Sequence, residues 1–135
     1  MSAVEQALER LRADEAGGAL GELAQRCGID VLTVFGSARH DATTAGDLDL
    51  AYARMRGTDA SHLDVVNALG ERYGDIVDVL DLDRAGSVAR YAGLHDIELL
   101  VQRTPGRYAE LQMRAFRDYC DTQRLRDRVL EVLAG

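Results

Sequence analysis

Residues Val34–Tyr52 read VFGSARHDATTAGDLDLAY, and the fold turns on how that stretch is divided. Its start belongs to Val31–Phe35 (VLTVF), a β-branched apolar run that stops at Gly36, the pattern of a buried strand running into a turn. Its end belongs to Asp47–Ala53 (DLDLAYA), which alternates strictly. On a strand of period two, Asp47, Asp49, Ala51 and Ala53 share one face, and Leu48, Leu50 and Tyr52 share the other. Between the two strands lies a small-residue, polar stretch, SARHDATTAG.

Outward from this pair, periodicity predicts further elements. Ser2 to about Ala13 reads as a helix with Val4, Leu8 and Leu11 on one side, broken at Gly17-Gly18. Ala19–Arg26 reads as a second helix that ends near Gly28. Beyond the alternating strand, Asp59 or Ser61 caps a helix running to about Tyr73, with Leu63, Val66 and Leu69 inward and Gly74 closing it. Ile76–Leu82 (IVDVLDL) is a third strand, Arg84–Ala92 a short helix, and Ile97–Val101 a fourth, edge-like strand. Thr104-Pro105 opens a long C-terminal helix, threonine as cap and proline in the first turn, over residues 105–134. Its apolar positions are Tyr108, Leu111, Ala115, Tyr119, Val129 and Leu133, for packing or for a partner. No repeat and no long linker divides the chain, so residues 1–135 are expected to form a single α/β domain.

Composition narrows the function. The net charge of −7 comes from 23 acids against 16 bases, every base an arginine. That balance is poorly suited to gripping a nucleic-acid backbone. It suits solubility alone, or steering toward a basic protein partner. The N-terminus is charged at helical spacing and is not a signal peptide, and no run approaches a membrane span, so a cytoplasmic location is expected. Cys27 and Cys120 read as idle thiols in a reducing compartment rather than a disulfide. His40, His62 and His95 form no zinc pattern.

Three features carry chemistry. Gly36-Ser37 ends a buried strand; glycine lets a ligand approach the backbone, and outward amides with a serine hydroxyl suit an anion, although such turns are also ordinary architecture. Asp47 and Asp49 are either a solvated strand face or two hard oxygen ligands for Mg²⁺ or Mn²⁺, since like charges so close call for a cation. Asp78 stands on an otherwise apolar strand face with Ile76, Leu80 and Leu82, so it must be paired, solvated or metal-bound. Asp81, with the opposite orientation, is its rival, and the second Asp-Leu-Asp at Asp81–Asp83 has no Gly-Ser upstream.

Together, a strand ending in Gly36-Ser37, nine residues, Asp47-Leu48-Asp49 in a second strand and Asp78 in a third resemble the nucleotidyltransferase superfamily that includes DNA polymerase β. VFGSARHDATTAGDLDLAY, VDVLDL (residues 77–82) and RYAELQMRAFRDYCD (residues 107–121) resemble its smallest branch, the minimal nucleotidyltransferase (MNT) antitoxins that accompany HEPN-domain toxins. The resemblance implies a polymerase β-like fold: a small mixed sheet of three or four strands flanked by helices, with a long closing helix. It implies transfer of AMP from ATP to a tyrosine of a HEPN ribonuclease, silencing it. Gly36, Ser37 and Arg39 would hold the nucleotide's phosphates, and Asp47, Asp49 and Asp78 would hold two divalent ions, Mg²⁺ or Mn²⁺. Two departures stand out: the loop before Asp47 is one residue shorter than the family's, and His40 follows Arg39 where glycine is common. A small-molecule acceptor such as an aminoglycoside, and a non-catalytic antitoxin acting by binding alone, are the alternatives.

Overall fold

The computed structural model describes residues 1–135. Four strands form one sheet: β1 (Ile29–Phe35), β2 (Leu48–Arg54), β3 (Val77–Asp81) and β4 (Glu98–Gln102), in the order β3-β2-β1-β4. β1 runs antiparallel to both β2 and β4, while β2 and β3 are parallel, so the sheet is mixed as expected and β4 is an edge. The helices are α1 (Ala3–Gly17), α2 (Ala19–Cys27), α3 (Ser37–His40), α4 (His62–Tyr73), α5 (Ser87–Leu94) and α6 (Arg107–Ala134).

Strand alternation divides the core in two. Leu48, Leu50 and Tyr52 of β2 join Leu32 and Val34 of β1 against Leu8 and Leu11 of α1, Leu20 and Leu23 of α2, and Val65 and Leu69 of α4. Burying each such leucine contributes roughly 1.5–3 kcal/mol, so this face supplies most of the cohesion. The opposite face is thinner: Val31, Ala51 and Ala53 meet Leu82, Leu94 of α5 and Ala115 of α6. Alanines there let α5 lie close, and a Cβ at Gly93 would meet the Cβ of Ala51 at 3.0 Å. The buried Thr33 hydroxyl donates to the Gly93 carbonyl at 2.8 Å, tying α5 to β1.

Polar staples fix the helices. Ser2 and Glu5 form a reciprocal capping box at the start of α1, which continues to Gly17, beyond the expected end at Ala13, before Gly18 (φ 90°) turns the chain. Arg72 of α4 donates to Asp14 of α1 at 2.6 and 2.9 Å, and the Tyr73 hydroxyl adds a third bond at 2.8 Å. These donors, Arg72 first, pull the Asp14 carboxyl down to about 2.

Four expectations need correcting. α4 turns Val65, Leu69 and Tyr73 inward and leaves Leu63 64% exposed, because the i, i+4, i+8 row starting at Val65 is the one that meets both sheet and α1. Ser61 stands at its N-cap position but makes no side-chain cap bond. α6 starts at Arg107 after the left-handed Gly106, not at Thr104-Pro105; the Thr104 amide is instead spent on Asp30 Oδ1 at 2.7 Å. Finally, Ile76 lies just before β3 and packs with the first core, so it does not share a face with Asp78. No helix is long and apolar enough to cross a membrane.

Candidate active site

Where β1 ends, β2 and β3 begin, and that corner gathers the candidate residues. Phe35, the last residue of β1, pairs with Asp49, and Asp49 in turn pairs with Asp78 across the parallel β2–β3 ladder. The side chains of facing residues in adjacent strands project to the same side, so Asp49 and Asp78 are neighbours. The face is the α5/α6 side, that of Ala51 and Leu80. Asp47 immediately precedes β2 and is exposed; Asp49 is half-buried and Asp78 exposed.

Gly36 has φ 73° and ψ −158°, a conformation that essentially only glycine adopts. A Cβ there would overlap the Asp49 carboxylate. Glycine is therefore what allows the turn and the carboxylate to occupy adjoining space. Ser37 follows, exposed, with its hydroxyl unbonded, and opens α3, a short helix that the sequence did not foretell.

The electrostatics single out this corner. Every other buried or half-buried acid, Glu5, Asp14, Asp30, Asp81, Glu98 and Glu110, takes a hydrogen bond or an arginine. Asp47, Asp49 and Asp78 have neither a hydrogen bond nor an ion pair. Burial first, then the charges of Asp78 and Asp47, push the Asp49 carboxyl above its ordinary range. A chain rich in arginine has left three adjoining carboxylates without a cation.

As placed, no group of three or more acidic, histidine or cysteine side chains closes around a point that an ion would occupy. The donor set still fits a hard divalent ion, because Mg²⁺ keeps several waters and is held through one or two carboxylates plus substrate phosphates.

Arg39 lies elsewhere. It is half-buried, its Nε has no hydrogen-bond partner, and its charge acts on Glu98 of β4, not on the aspartates. Asp81 is 7% exposed and bonded to Arg54 at 2.8 Å, with Asp83 on the same guanidinium at 3.1 Å. The second Asp-Leu-Asp is thus consumed by a structural ion pair. One contact had no sequence signal: His40 Nε2 lies 2.7 Å from Asp96 Oδ2, in the connection between α5 and β4. An apolar groove lined by Tyr91, Leu94, His95, Met113 and Phe116 lies between α5 and α6.

No protein-family model matches the sequence, and no curated protein matches it. Solved structures do match in shape. A chain of the MntA–HpeT toxin–antitoxin complex, crystallised as a variant, superposes with a TM-score of 0.71 at 14% identity, over 87% of this chain and 98% of that one. A toxin–antitoxin structure with AMP-PNP gives 0.70 at 16% identity, over 86% and 96%. The complex of a tri-AMPylated Shewanella oneidensis HEPN toxin with its MNT antitoxin gives 0.70 at 15% identity, over 93% and 99%. At such identities the agreement is one of fold: this chain has the nucleotidyltransferase-like fold of the MNT antitoxins.

Proposed function

We propose that this protein is an MNT-type antitoxin that transfers AMP from ATP to a tyrosine of a HEPN-type ribonuclease and so silences it. The observation that carries the proposal is Asp49, packed against Gly36, paired across the strands with Asp78 and raised by burial and by the charges of Asp78 and Asp47, none of the three having a hydrogen bond or an ion pair. Two of the solved complexes of this fold contain AMP-PNP and an AMPylated HEPN toxin.

In this reading the Gly36-Ser37 turn receives the β- and γ-phosphates through its amides and hydroxyl. Arg39, whose Nε is without a partner, joins them by turning from the Glu98 side. Asp47, Asp49 and Asp78 would hold two divalent ions, which would supply charge neutralisation of the triphosphate and a lowered pKa for the attacking hydroxyl. The phenolic oxygen attacks the α-phosphorus in line, the bond to pyrophosphate breaks, and the phenolic proton passes to Asp78 or to water. A tyrosine with an ordinary pKa of about 10 is then a reasonable acceptor. The protein's contribution is positioning and electrostatics.

The −7 charge steers a basic partner and repels nucleic acid. An adenylyl group on the toxin would put a bulky anion where an RNA phosphate must bind. Free Cys27 and Cys120 fit the reducing cytoplasm in which we place the protein.

Mass spectrometry of a HEPN partner co-expressed with this chain tests the proposal. Increments of one adenylyl group on a tyrosine, absent with Asp49→Asn, are expected. Silencing without modification would instead establish an antitoxin that acts by binding. Label transferred from ATP to a small molecule alone would overturn the antitoxin assignment.

A further inference from the structure

The connection over residues 36–46 reaches the rest of the protein through few polar side-chain contacts. Ser2 Oγ donates to the Ala42 carbonyl at a long 3.4 Å, and Asp41 spends its carboxylate inside the loop on Thr43. The short contact outward is His40 Nε2 to Asp96 Oδ2, 2.7 Å.

Asp96 is itself unusual. It is the only residue other than glycine with positive φ, at 24°. A non-glycine residue in that region is strained and persists only where its surroundings hold it. On one side the chain leaves α5 at His95, whose ring stacks on Tyr91 with centroids 4.7 Å apart. On the other, β4 begins at Glu98, paired in register with Val34 of β1, two residues before Gly36. The strained residue is thus anchored on both sides and presents its carboxylate to the end of α3.

Resting on the nucleotidyltransferase reading, we infer that His40 and Asp96 are positioning residues: their contact holds the Gly36-Ser37 turn where it can receive the triphosphate. Neither touches the nucleotide. The contact is largely exposed, with 65% and 51% of the two side chains accessible, so its effect is modest. A loss of about threefold to fivefold in turn order and in ATP affinity is the size expected of one such pair.

Hydrogen exchange and ATP binding, measured on the isolated protein with Mg²⁺, test this. His40→Ala should speed exchange of the Ala38–Thr44 amides about threefold to fivefold and weaken ATP binding by a similar factor. His40→Gln, which places an amide nitrogen near the original Nε2, should restore both. Asp96→Gly relieves the backbone strain while removing the carboxylate, so it should leave thermal stability unchanged or raised and still loosen the turn. That combination is not what a merely structural residue would give. Unchanged exchange in His40→Ala and Asp96→Gly would overturn the inference, as would faster exchange with unaltered ATP affinity. Failure of the wild-type protein to bind ATP would overturn the nucleotidyltransferase reading, and with it the role of the turn, whereas the exchange data would still report whether the contact exists.

Discussion

Gly36→Ala separates two costs that the structure places on one residue. Holding an L-residue at φ 73°, ψ −158° costs about 1–3 kcal/mol. The added methyl would also stand 3.1 Å from Asp49 Cγ and closer still to Oδ2, so the carboxylate must rotate away. Forcing a side chain off its rotamer adds roughly 0.5–1.5 kcal/mol, for a total of about 1.5–4.5 kcal/mol. In an Asp49→Ala background the carboxylate overlap disappears, leaving only the position-49 Cβ at 3.3 Å, and the backbone cost remains. The double-mutant cycle should therefore show a coupling of roughly 0.5–1.5 kcal/mol, whatever Asp49→Ala does alone. Urea unfolding of the four proteins at neutral pH, with slopes checked for constancy, measures it. Additivity within about 0.3 kcal/mol would refute the claim that turn and carboxylate share one space. So would full stability of Gly36→Ala itself.

Further outcomes follow from the charges. On the proposed mechanism Asp49→Asn should cut AMP transfer roughly a thousandfold, by removing a ligand of the proposed metal centre. Because the folded-state pKa of Asp49 is raised, the stability tied to it is full below its ordinary value of 3.8 and is lost as pH rises through the raised pKa. Asp49→Asn should thus be at least as stable as wild type at pH 7, with the gap closing below pH 3.8; a variant less stable at pH 7 would contradict the electrostatic account. Asp78→Ala should abolish transfer and keep the fold, whereas Asp81→Ala should lose roughly 3 kcal/mol, the low end for a broken buried pair because Asp83 stays with Arg54. Thermal melts beside activity assays decide between them, and an inactive but fully stable Asp81→Ala would reverse the assignment.

The sequence by itself determined what depends on nearest neighbours along the chain. The period-two alternation of Asp47–Ala53 set Leu48, Leu50 and Tyr52 against the first core and Asp49, Ala51 and Ala53 to the other side, because pleat geometry acts within a single strand. The helix breaks at Gly18 and Gly28 were legible for the same reason, each being a left-handed position that glycine fills. Which segments become neighbours is a different matter, decided by strand pairing and packing across the whole fold. Only the β2–β3 register set Asp78 beside Asp49, and only the approach of Arg54 bound the neighbouring Asp81 in a buried ion pair. The same holds for α4, where two apolar rows were available and contact with the sheet chose Val65 over Leu63. Arg39 went to the side of Glu98, and His40 met Asp96, a residue fifty-six positions away. No periodicity encodes such meetings, because they arise when elements placed by the burial of unrelated leucines bring polar side chains together.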